Sequence, residues 1–188
     1  MSTPLDELKT RLREANDLGS AAAVLHWDQA TYMPPGGAEA RGRQLALLGR
    51  LAHEKFTDRA IGRLLDELEP ETAGLPPESD DGALVRVTRR EYERALRVPA
   101  AFVAESSEHA ALSYQAWTEA RPADDFARMR PLLERTVELS RRYSDFFPGY
   151  ASVADPHIDA SDLGMTAASV RALFEGLRAR LVPLVRAI

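Results

Sequence analysis

The 188-residue chain contains no cysteine. Disulfides, thiolate metal sites and a cysteine nucleophile are thereby excluded, while the compartment is left open. Aromatic residues are scarce, at 7%. A basic excess is missing as well: 24 Lys and Arg face 29 Asp and Glu, for a net charge of −5. Neither nucleic acid nor an anionic membrane is recommended as a partner. No apolar run approaches the roughly 18 residues that span a bilayer. The opening MSTPLDELK lacks the apolar core of a secretory signal. A cytoplasmic location is the expectation. G-x-S-x-G, P-loop and G-x-G-x-x-G motifs do not occur, which removes the local signatures of α/β hydrolases and nucleotide binding.

What is present is helical pattern. Hydrophobic residues make up 45% and charged ones 28%, the balance of a globular protein. A chain of this length buries about 70% of the surface it exposes when unfolded. Thr3 suits an N-cap, Pro4 the first helical position, and Asp6 and Glu7 the positive end of the dipole. Leu5, Leu8, Leu12, Ala15, Leu18, Ala22 and Leu25 then recur at steps of three and four, the stripe of an amphipathic helix. That helix carries Trp27, Asp28 and Tyr32 on its last turns and stops at Pro34, Pro35, Gly36 and Gly37.

A second helix is predicted from about Ala38 to Phe56. A third, short one is capped near Thr57 and Asp58 and uses Ile61, Leu64, Leu65 and Leu68. The loop EPETAGLPPESD follows, and Ser79 caps a fourth helix. Pro99 opens a fifth, which Arg121-Pro122 breaks; Pro131 opens a sixth. The stretch from Pro148 to Gly164 shows no helical period and reads as an ordered loop. Thr166 caps the last helix. No segment alternates at period two for long enough to be a strand. The expectation is an all-α fold of about seven antiparallel helices. The last helix keeps its apolar stripe, from Val170 through Leu177 to Val185 and Ile188, up to the final residue. It lacks a glycine cap and a polar tail, the pattern of a helix that further chain covers.

Candidate chemistry is thin. His53 opens HEKFT, but the position where H-E-x-x-H needs its second histidine is Thr57. A polar helix end is the preferred reading. In DPHID, Asp155, His157 and Asp159 would share a face if the segment were extended, which suits a divalent ion. Turn chemistry, with aspartates bonding their own backbone, explains the same residues and carries more weight. Glu105 and His109 lie four apart on one helical face, a spacing that orients an imidazole but more often makes a solvated pair. The four histidines show no mutual spacing, and no carboxylate pair stands out for glycosidic chemistry.

The densest local signal is HWDQATYMPPGG, residues 26–37. Trp27, Tyr32 and Met33 are expected to plug the corner between two helices, with Asp28 paired to Arg41 or Arg43. The alternative puts Trp27, Asp28, Tyr32 and Met33 on the wall of a groove.

Trp27 to Glu54, WDQATYMPPGGAEARGRQLALLGRLAHE, resembles the N-terminal signature of the carboxypeptidase Taq family of zinc metallocarboxypeptidases. RREYERALRVPAAFVAE, QAWTEAR and DFARMRPLLERTVELSRRY resemble the helices that follow in that family. GMTAASVRALFEGLRARLVPLVRAI resembles the helix before its catalytic region. The resemblance covers all 188 residues in order. It implies an all-helical enzyme with a deep groove for peptide C-termini, commonly a homodimer, that removes C-terminal residues one at a time. It also implies zinc (or cobalt) held by an H-E-x-x-H helix and a downstream glutamate, with the metal polarising the scissile carbonyl and activating water. Those residues lie C-terminal to the matched part, as do the family's H-P-F and D-x-R-x-T stretches, and this chain contains none of them. No catalytic or metal residue is carried over.

The expectation is therefore that residues 1–188 form the N-terminal, non-catalytic helical region of such an enzyme, inactive alone. The missing catalytic portion or a homodimer partner would complete it. A different class of function is a free-standing helical interaction module derived from the family. A third is an independent hydrolase using Asp155, His157 and Asp159.

Overall fold

The computed structural model describes residues 3–188; the first two residues of the MSTPLDELK opening lie outside the described residues. Eight α-helices and one 3-10 turn are present among the described residues, with no strand. They are α1 (Pro4–Thr31), the 3-10 turn (Pro35–Gly37), α2 (Ala38–Phe56), α3 (Arg59–Thr72) and α4 (Asp80–Leu96), then α5 (Ala100–Ala120), α6 (Phe126–Asp145), α7 (Asp155–Ser161) and α8 (Ala167–Ala187). The all-α expectation holds, with one helix more than the seven expected. The described residues divide into two compact units, one ending at Leu133 and the other spanning Glu134–Ile188.

Local chemistry sets most helix starts. Thr3 Oγ1 accepts from Asp6 N at 3.1 Å, and Asp6 Oδ2 accepts from Thr3 N at 3.2 Å. This reciprocal capping box satisfies two of the donors a helix leaves orphaned. The bonds from Thr3 hold the Asp6 carboxyl below its ordinary range. Asp58 accepts from Ala60 N at 2.7 Å, Ser79 from Gly82 N at 3.4 Å and Thr166 from Ser169 N at 3.2 Å. Each predicted cap is thus made.

In the first unit, Leu8 of α1, Ile61, Leu64, Leu65 and Leu68 of α3, and Val85 and Tyr92 of α4 form one buried cluster, with Leu5, Leu12 and Phe56 packed against it. Gly62 lets Tyr92 lie close over α3, since a Cβ there would sit 2.7 Å from Tyr92 Oη. Arg89 reaches from α4 to Asp66 at 2.6 Å and Glu69 at 3.1 Å on α3. Helix α2 packs against both α1 and α5. A Cβ at Gly49 of α2 would meet Ser107 Oγ of α5 at 2.8 Å, so glycine permits that close approach.

Three boundaries differ from expectation. Helix α3 runs through Pro70 to Thr72. Proline removes one backbone bond, but Thr72 Oγ1 donates to Leu68 O at 2.9 Å and Ala73 N to Glu69 O at 3.0 Å, which secures the last turn. Helix α6 begins at Phe126 rather than at Pro131. Asp125 Oδ1 accepts from Arg128 N at 3.0 Å, so an aspartate cap starts the helix one turn before the proline.

The third difference is α7, which occupies part of the stretch expected to be a loop. It has only seven residues, too few to show a period. Its start is held by the buried Asp155 carboxylate, which accepts from Ser152 N at 2.9 Å and from Ala167 N, at the start of α8, at 2.7 Å. His157 stacks on Tyr143 with ring centroids 4.8 Å apart, and Tyr143 packs on Phe147 at 5.0 Å. In α8 every residue after Val170 is exposed. Among the described residues no helix is long and apolar enough to cross a membrane.

Candidate functional site

The end of α1 and the start of α2 form the most organised polar feature of the first unit. Tyr32 N and Met33 N both donate to Asp28 O at 2.9 Å, which closes α1. Pro34 is extended, and Gly37 N returns to Pro34 O at 2.8 Å across the 3-10 turn. A Cβ on Gly37 would press to 3.0 Å from Met33 Cγ. The two prolines and two glycines thus reverse the chain in a few residues and place Arg41, on the first turn of α2, beside α1.

Arg41 is the buried centre of the corner. Its Nη2 donates to Asp28 Oδ2 at 2.5 Å, its Nε to Gln44 Oε1 at 3.2 Å and its Nη1 to the Leu25 carbonyl. One guanidinium fork therefore binds a carboxylate, an amide and a backbone carbonyl of α1. The Asp28 partner is Arg41 and not Arg43, which pairs instead with Glu39 at 2.6 Å. Next to Asp28, the buried Gln29 donates from Nε2 to Ala111 O of α5 at 2.9 Å.

The rings do not plug the corner. Trp27 is 58% exposed and Tyr32 76% exposed. They meet edge to face, with centroids 5.5 Å apart and planes at 62°. The reason is rotational. Asp28 and Gln29 take the inward face of the last turns of α1, because Arg41 and the Ala111 carbonyl wait there. Trp27, two residues before Gln29, is turned outward as a consequence, whereas Tyr32 follows the last helical residue and lies exposed at the helix end. The result is an open aromatic ledge beside a neutralised carboxylate. Such a surface can stack and hydrogen-bond a ligand, but it holds no base–nucleophile pair.

The remaining sequence candidates come apart as chemistry. His157 Nε2 donates to Ser140 O at 3.0 Å. Asp159 accepts from Gly164 N at 2.8 Å and from Tyr150 OH at 2.9 Å. Because DPHID is helical, Asp155 and Asp159 lie one turn apart while His157 projects from the other side. The extended arrangement that a shared ion requires is corrected by α7. His109 Nε2 lies 3.3 Å from Ser113 Oγ.

His53 sits half-buried near the end of α2. Burial pushes its pKa below the usual 6.5, while a hydrogen bond to the Val98 backbone and the charge of Glu54 pull the other way. The folded state therefore prefers neutral His53. That contribution is complete above the unfolded value of 6.5 and is lost as pH falls through it toward the lower folded pKa. Urea midpoints measured from about pH 8 to about pH 5 should fall below neutrality. His53→Gln, which cannot titrate, should flatten that part of the curve.

The all-helical packing of the described residues matches the N-terminal part of solved carboxypeptidases. The crystal structure of BsuCP superposes with a TM-score of 0.90 at 26% identity, covering 98% of this chain and 37% of that one. The family model of carboxypeptidase Taq (M32) metallopeptidases matches residues 7–188, and the chain belongs to that family.

The M32 carboxypeptidase of Deinococcus radiodurans is 44% identical, with a TM-score of 0.74, over 98% of this chain and 37% of its own. Thermostable carboxypeptidase 1 of Thermus thermophilus is 34% identical over 88% of this chain and 34% of its own length. The chain thus spans about a third of the relatives it matches.

The family is metal-dependent. Among the described residues, no three His, Cys, Asp or Glu side chains converge to hold an ion. His157, Asp155 and Asp159 of the most suggestive segment are committed to backbone groups and to Tyr150 OH, so the donors present do not fit a catalytic metal.

Proposed function

We propose that this chain is the helical N-terminal region of a metal-dependent carboxypeptidase that releases C-terminal residues from peptides. In this reading residues 1–188 are one non-catalytic region. Trp27, Asp28, Tyr32 and Met33 line one flank of the groove that receives the peptide. The carrying observation is a family match across residues 7–188 in a chain that spans about a third of its relatives. The metal, zinc or cobalt, and its ligands belong to the portion of the relatives that lies outside this match. Homodimeric assembly and a cytoplasmic location complete the reading.

The test is release of C-terminal residues from a peptide with zinc or cobalt supplied. The 188-residue chain is assayed alone, then with the remaining portion of the Deinococcus radiodurans enzyme added as a separate chain. Release is expected only in the mixture. Turnover by the 188 residues alone, with stoichiometric metal, would overturn the proposal. In the active mixture, Trp27→Ala and Tyr32→Ala should raise KM several-fold with little change in kcat, because exposed ledge residues bind rather than react. Their effect on the urea midpoint should be small, since both rings are exposed.

A second reading, a free-standing interaction module, is favoured by one feature: the exposed apolar stripe of α8. Tight partner binding without any residue release in the mixture would select it.

A further inference from the structure

We propose that α8 is a docking seam for a second amphipathic helix, one whose apolar stripe is bordered by carboxylates. This rests on the reading above, in that the part of an M32 carboxypeptidase outside the matched region would supply that helix.

The spacing carries the first part of the argument. Val170, Phe174, Leu177, Leu181, Leu184 and Ile188 recur at steps of four, three, four, three and four. That is a heptad pattern at a and d positions, with Pro183 at a c position between Leu181 and Leu184. Phe174, Leu177, Leu181, Leu184 and Ile188 are all exposed, from 47% at Leu181 to 100% at Ile188. A surface helix that packed on its own unit would bury such a stripe. Here only the first turns touch the rest of the unit. A cavity of about 440 Å³ opens there, lined by Ile158, Val170 and Phe174 and edged by Arg171, Glu175 and Arg178. It offers a seat for an apolar side chain of the arriving helix.

Charge identifies the partner. On the seam's heptad, Arg171 and Arg178 fall at e positions and Arg180 at a g position. These flanks choose partners in helix pairs. Helix α8 carries four arginines and a single glutamate, Glu175, although the whole chain is at −5. Glu175 falls at a b position, outside the e and g flanks, and edges the cavity between Arg171 and Arg178. A second copy of α8 brings arginine flanks and no carboxylate flank to meet them. A helix with Asp or Glu at e and g satisfies all three guanidiniums in either orientation.

The test uses the full chain and two designed helical peptides of about four heptads. Both carry leucine at a and d; one has glutamate at e and g, the other lysine. Titration calorimetry at low salt should show the glutamate peptide binding at least tenfold more tightly. R171E/R178E/R180E should reverse the preference, and L177D/L181D should abolish binding of both. Every substituted side chain is exposed, so circular dichroism should be unchanged. The glutamate peptide should also compete with the remaining enzyme portion and suppress release in the mixed assay.

Four results would overturn the proposal. They are equal affinity for the two peptides, binding retained in L177D/L181D, a stable dimer of the chain that resists the peptide, and preference for phosphatidylserine vesicles over peptide. The calorimetry needs neither metal nor turnover. Release in the mixture that the peptide cannot suppress would end this proposal and leave the carboxypeptidase reading intact.

Discussion

Arg41→Ala is expected to lower the unfolding free energy by about 2–3 kcal/mol, as the loss of charge-assisted hydrogen bonds from a buried fork. The Arg41 side chain is only 10% exposed, whereas that of Asp28 is 35% exposed. Removing the guanidinium leaves the Asp28 carboxylate without its cation and the Leu25 carbonyl without its side-chain donor. A fully buried pair broken on one side costs more, about 3–5 kcal/mol. Water can reach Asp28, and this lowers the expectation. Urea denaturation read by circular dichroism gives the value. Arg43→Ala is the matched control. Its ion pair is solvent-exposed, and a loss of well under 1 kcal/mol is expected. Equal losses from the two substitutions would mean that the corner is not organised around Arg41. Arg41→Lys should recover only part of the stability, because an ammonium cannot reproduce the planar fork.

Leu65→Ala should cost more, about 3–4 kcal/mol. Leu65 is fully buried between Ile61, Leu64 and Leu68 of its own helix and the faces of α1 and α4. Truncation loses the transfer energy of the removed carbons and leaves a cavity that these neighbours fill only partly. The urea midpoint should drop without a change in slope, since the surface exposed on unfolding hardly alters. Leu75→Ala, at an exposed leucine in the loop before α4, should change the unfolding free energy by less than about 0.5 kcal/mol.

Much of the helical plan was legible from local signals. Thr3, Asp58, Ser79 and Thr166 cap the helices that follow them, and α2 spans the expected residues. A cap, a proline or an apolar repeat acts within a turn or two, so its meaning survives without tertiary context. The misreadings have the same explanation in reverse. Pro131 looks like a helix start, yet Asp125 outcompetes it one turn earlier. Helix α7 is too short to show a period, and its N-terminal carboxylate is held partly from twelve residues further along the chain.

The candidate site was legible only in outline. Trp27, Asp28, Tyr32 and Met33 stood out by residue type, and an arginine partner for Asp28 was foreseeable. The choice between Arg41 and Arg43 was not, nor was the bond from Gln29 to a carbonyl on α5. Each depends on which side of a helix meets another helix. That is a question of rotation, answered only when distant segments pack.

By itself, then, the order of residues determined where this chain coils, where it turns and which family it joins, because those properties arise from neighbours along the backbone. Only the packed structure decided that Arg41 lies inside and the Trp27–Tyr32 pair outside. Facing is set by long-range contacts, here a guanidinium and a carbonyl competing for the inner side of α1.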